Sequence, residues 1–151
     1  MGADVALSAK VNMQGVNVMT YIAAYVGALI VFGIIDAIWL SWAVPTLYKP
    51  MFGDALADPI RILPAAIFYF AFPVGIVIFA IAPALRDNSA VMALVLGGLL
   101  GALAYGTYDL TNYATLKFFT GTTAAIDIAY GTVTIALSSL GGYLAARLIS
   151  G

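Results

Sequence analysis

Three aspartates, Asp36, Asp109 and Asp127, stand inside long apolar stretches of a chain that carries few other charges. A carboxylate at membrane depth is costly, and such groups commonly mark proton relays or ligand sites. Phenols and one amide accompany them at helical spacing. Tyr105, Tyr108, Asp109, Asn112 and Tyr113 recur at intervals of three and four, which places most of them on one helix face. Asp127, Tyr130 and Gly131 share a face by the same spacing, and Asp36 lies one turn from Trp39 and Leu40. Carboxyls among phenols can relay a proton, act as general acid and base, hold a cationic amine or seat the polar end of a lipid. Three Asp and an Asn are also hard-cation ligands, but no clustered acidic motif supports a metal, and the sequence calls for no cofactor. Catalytic residues remain unassigned.

The absences narrow the chemistry. The chain has no Cys and no His, and all seven acids are Asp. Disulfides, thiolate nucleophiles, common zinc sites and the Ser-His-Asp triad are excluded. The competing role for the aspartates is helix glue. An interhelical hydrogen bond in a membrane averages about 0.6 kcal/mol, whereas a carboxylate near the bilayer centre costs about 2.5 kcal/mol or more. A neutral Asn would join helices at lower cost, so the three acids favour a site. Asp127 is the weakest member, because a negative charge is welcome near a helix N-terminus.

The elements that must position these groups are membrane helices. Hydrophobic residues make up 64% of the 151, and charged residues only 9%, against roughly 25% in soluble domains. Mean hydropathy is +1.05. Four apolar stretches reach the length of about 20 residues that a spanning helix needs: about 21–44, 62–85, 91–118 and 124–149. They are too long, and alternate too little, for strands. The expected fold is all-α, an integral membrane four-helix bundle over 19–151, preceded by an arm over 1–18. The arm lacks the basic start and cleavage site of a signal peptide and fails the myristoylation pattern. Pro45 is expected to end the first span, leaving 45–61 as the one sizeable loop. Tyr21, Tyr25, Trp39, Trp42, Tyr48 and Phe52 read as an interfacial aromatic belt. The third stretch is long, and the polar run Tyr105–Thr115 suits a cavity better than lipid.

Alternating direction converts position into depth. Spans one and three run from side A, which holds both termini, to side B, and spans two and four return. Asp36, Asp109, Asp127 and Tyr69 then all fall in the B half. Arg61 and Lys117 stand at the B ends as candidate counter-ions, with snorkelling to headgroups as their simpler role. The sides match in basic residues, Lys10, Arg86 and Arg147 against Lys49, Arg61 and Lys117, which leaves orientation open. Gly33 and Gly106 each precede an Asp by three residues, a possible trace of a duplicated helix pair; their simpler role is close helix packing.

Four segments together resemble a known family: Asp36-Ala37-Ile38-Trp39-Leu40, the Phe68-Tyr69 pair, Tyr105 to Leu116, and Asp127-Ile128-Ala129-Tyr130-Gly131. They are similar to the bacterial membrane proteins of domain of unknown function 2177, over about residues 20–148. The resemblance implies a multi-pass protein of the bacterial inner (cytoplasmic) membrane and no activity. The expected site comprises Asp36, Tyr69, Tyr105, Tyr108, Asp109, Asn112, Asp127 and Tyr130, binding or moving a small molecule or proton. The alternatives are an enzyme modifying a lipid or isoprenoid by Asp/Tyr acid-base chemistry, or an accessory subunit of a membrane complex. Expected partners are the lipid bilayer, a small-molecule or lipid ligand and a second copy in a homodimer. No basic patch calls for nucleic acid.

Overall fold

A computed structural model describes residues 17–150. The expected arm therefore falls, apart from its last two residues, outside the described residues. Four helices are long and apolar enough to cross a membrane: α1 (Val18–Ala55), α2 (Ile62–Arg86), α3 (Ala90–Thr115) and α4 (Gly121–Ser150). Asn17 caps α1 by accepting from the Thr20 N–H, and Ser89 caps α3 by accepting from the Met92 N–H. Each cap satisfies one of the donors that a helix start leaves free. The α2–α3 turn is tight, and Asn88 takes a positive φ of 49° there. Arg147 Nη1, near the end of α4, donates to the Asn88 side chain and ties the C-terminal turn to that hairpin.

The first helix does not stop at Pro45. It widens into one turn over Val44–Tyr48, where the Lys49 N–H bonds back to the Val44 carbonyl, and continues to Phe52 and a final tight turn at Gly53–Ala55. A proline removes one donor and crowds the preceding turn; an enlarged turn absorbs both effects without breaking the helix. The non-helical link shrinks to 56–61. A second wide turn occupies Val77–Ile81 in α2, between Pro73 and Pro83. The third helix ends at Thr115 rather than near 118, because Leu116 turns extended (φ −107°, ψ 121°).

The last helix is the core of the bundle. It packs along both α1 and α3, which make little contact with each other, while α2 leans on α1 and touches α3 mainly through Val77–Arg86. Apolar residues surround α1, α2 and α4 on every side, as expected where one face meets lipid and another meets protein. Small residues mark the seams instead. On α1 the buried positions Thr20, Ala24, Ala28, Phe32 and Asp36 fall every fourth residue. Gly27, Gly141 and Gly142 close that seam, where an added Cβ meets Ala145, Val31 or the Ala24 carbonyl. Across the α3–α4 seam, a Cβ on Gly101 would strike the Gly131 carbonyl, and one on Gly97 would strike Ser139. Gly33 and Gly106 behave differently. A Cβ on either would meet nothing within 4 Å, so close packing is not their role.

Candidate functional site

The carboxyl groups lie in the B half, where the seams widen. Asp36 is the last member of the every-fourth-residue stripe on α1 and is 7% exposed. Tyr69 of α2 donates its hydroxyl to Asp36 Oδ2. Tyr130 of α4 donates to Asp36 Oδ1 at 2.8 Å. One carboxylate thus gathers three helices. Phe32, one turn below, floors this group and packs against Phe68, Tyr69 and Phe72 at centroid distances of 5.6 to 5.8 Å.

Asp127 forms a second centre. Tyr48 donates to it from the far end of α1, with 3.0 Å to each carboxylate oxygen. The Trp39 indole N–H donates in turn to the Tyr48 hydroxyl at 3.4 Å. The Trp39 ring also stacks on Tyr130 at 4.0 Å and 9°. Trp39 therefore joins the Asp36 centre to the Asp127 centre, and Tyr105 stands edge-on to Tyr130 at 5.9 Å. The absent side chain of Gly131 gives the Tyr105 ring its place.

Asp109 differs from both. It is fully buried, and neither carboxylate oxygen has a hydrogen-bond partner. Every side-chain partner of Asp36 and Asp127 is a phenol. Arg61 and Lys117 are exposed and bond to none of the three acids. Asn112 is half-buried at the end of α3, one turn from Tyr108. Among the described residues no three acidic side chains are grouped closely enough to share a metal ion.

Two cavities meet at this network. An outer cavity of about 650 Å³ lies under the 53–60 segment, lined by Tyr48, Lys49, Phe52, Asp58, Tyr108 and Asp127 among others. An inner cavity of about 300 Å³ lies between α2 and α3, lined by Phe68, Phe72, Ala104, Tyr105, Tyr108 and Asp127. Tyr108 and Asp127 belong to both. The inner cavity exists because α2 leaves α3 above Val77. Its lips, Phe68 and Tyr108, are 42% and 54% exposed, on the surface that faces the bilayer.

Of the residues singled out in the sequence, Asp36, Tyr69, Tyr105, Asp127 and Tyr130 are joined by hydrogen bonds or ring contacts, or both, with Tyr108 at the cavity junction and Asp109 buried beside it. Tyr48 and Trp39 are central to the network, although their types and positions read as interfacial belt. Their clue was periodicity: Trp39 follows Asp36 by three residues, and a helix carried past Pro45 brings Tyr48 round to the same face. No curated protein and no solved structure matches this chain. A family model described as "Predicted membrane protein (DUF2177)" matches residues 21–144, which include every carboxyl and phenol of the network. The chain belongs to that family of membrane proteins.

Proposed function

We propose that the protein binds a small molecule in the B half of a bacterial inner membrane, in the pocket whose two chambers meet at Asp127 and Tyr108. The observation that supports this reading is the junction itself: an outer chamber that carries Lys49 and Asp58 on its wall and a more apolar inner one share a carboxylate and a phenol. Volumes of about 300–1,000 Å³, mostly apolar with a few convergent polar groups, are usual for ligand sites. Asp36 with Tyr69 and Tyr130 serves as a rigid wall, each of its oxygens already accepting from one phenol. Asp127 and Tyr108 face the chambers and are the groups that a ligand meets. Asp109 stands behind them as a buried acceptor, able to receive a proton or a donor group.

Mass spectrometry of the protein purified from its native membrane tests the reading. The wild type retains a bound compound. Ala104→Trp, which fills the inner chamber, and Asp127→Asn retain less than a tenth as much. Equal retention by all three proteins would overturn the proposal.

A further inference from the structure

The two chambers differ in character, and the difference constrains what fits both. The inner chamber is walled by Phe68, Phe72, Ala104 and Tyr105 and opens sideways between α2 and α3. Hydrocarbon is the natural occupant of such a slot, since the bilayer supplies it without crossing water. The outer chamber lies at the side-B end, where α1 and α4 come within two turns of their termini. Its inner surface carries Asp127 with the rings of Tyr48, Phe52 and Tyr108. Behind that surface sits Asp109, buried and without a hydrogen-bond partner. Among the described residues neither carboxyl pairs with a cationic side chain: Asp127 bonds to the Tyr48 phenol, Asp109 bonds to nothing, and Lys49 on the chamber wall bonds to neither. An ammonium group against aromatic faces and a carboxylate gains both cation–π and charge attraction, worth about 2 kcal/mol or more for the ring term when desolvated. An anionic head, such as that of a fatty acid, meets repulsion at the same place. Lys49 and Asp58 stand together on the outer chamber, opposite in sign, so the rim neither repels a cation strongly nor rejects a phosphate that accompanies it.

Resting on the pocket reading above, we infer that the ligand is an amphiphile with an ammonium head: the head lies in the outer chamber against Asp127, Tyr48 and Tyr108, and the chain passes between α2 and α3 into the bilayer. Two sources carry this chemistry, an aminophospholipid and a free long-chain amine. In either case entry is lateral, from within the membrane.

Binding to the full chain in nanodiscs of phosphatidylglycerol, which lacks an amine, provides the test. The probes are dodecylamine and dodecanol, equal in chain length. Wild-type protein is expected to bind dodecylamine at least tenfold more tightly than dodecanol. Asp127→Asn reduces that preference to less than threefold, and Ala104→Trp weakens both ligands at least tenfold. Ala104 makes no hydrogen bond to the carboxylates, so this variant keeps the test open if Asp127→Asn fails to fold. Displacement of dodecylamine by added phosphatidylethanolamine supports a lipid as the source; amine binding that persists supports a free amine. If both probes bind equally and Ala104→Trp weakens both, the ammonium assignment is overturned while the pocket stands. If neither binds and Ala104→Trp changes nothing, both readings are overturned.

Discussion

Asp36 joins α1 to both α2 and α4 by hydrogen bonds. It accepts from Tyr69 and Tyr130 while remaining almost wholly buried. Replacing it with alanine leaves two phenols without their acceptor in an apolar setting, and unsatisfied buried donors cost about 1–3 kcal/mol each. Membrane hydrogen bonds return less on average, about 0.6 kcal/mol with a maximum near 1.7. A double-mutant cycle of Asp36→Ala with Tyr130→Phe is therefore expected to give a coupling of about 0.6–1.7 kcal/mol, read from reversible unfolding in mixed micelles. A coupling indistinguishable from zero would mean that the bond contributes nothing to the fold. The aspartates were legible in the sequence because a charge in an apolar run has few structural uses. Their partners were only partly so. Tyr69, Tyr105 and Tyr130 stood at the right depth, whereas Tyr48 lay behind a proline that reads as a stop.

Helix seams follow a different rule, set by the space that each glycine leaves. A methyl on Gly101 runs into the Gly131 carbonyl, and backbone cannot rotate out of the way. Gly101→Ala must push α3 from α4 and is expected to destabilise by about 1–3 kcal/mol, the usual cost of overpacking. Gly106→Ala, five residues further along the same helix, meets nothing. It is expected to be neutral or to stabilise by up to about 1 kcal/mol, since alanine loses less backbone entropy in a helix. Thermal unfolding of both variants side by side checks the contrast, and equal effects would contradict the seam geometry. Helix existence and type could be read from length and hydropathy alone. Which face turns inward could not, because apolar residues coat α1, α2 and α4 all round and the lipid side looks like the protein side. The divergence of α2 from α3 was hidden for the same reason. Pro73 and Pro83 were visible, but not the wide turn between them.

As a whole the molecule sets two polar ends of different character across one bilayer. The Asn88 turn and the end of α4 share side A, and the 53–60 segment lies at side B with the outer chamber. The chain contains no cysteine, so single cysteines report sidedness without background. Cysteines at Asn88 and Ser150 are expected to react with a membrane-impermeant maleimide from the same side, and one at Ala57 only from the other. Labelling of Asn88 and Ala57 from one side would refute the four-span topology. This experiment also resolves the orientation that three basic residues on each side left balanced in the sequence.

Since α4 is the common neighbour of α1 and α3, assembly has an order built into it. During synthesis the first three helices enter the bilayer before the one that unites them. Until α4 arrives, Asp36 lacks Tyr130, Tyr48 lacks Asp127, and the glycines at 27, 97 and 101 face lipid instead of a partner backbone. A nascent chain halted before Gly121 thus leaves these groups without their partners, and the vulnerable interval in this protein's biogenesis lasts until α4 inserts.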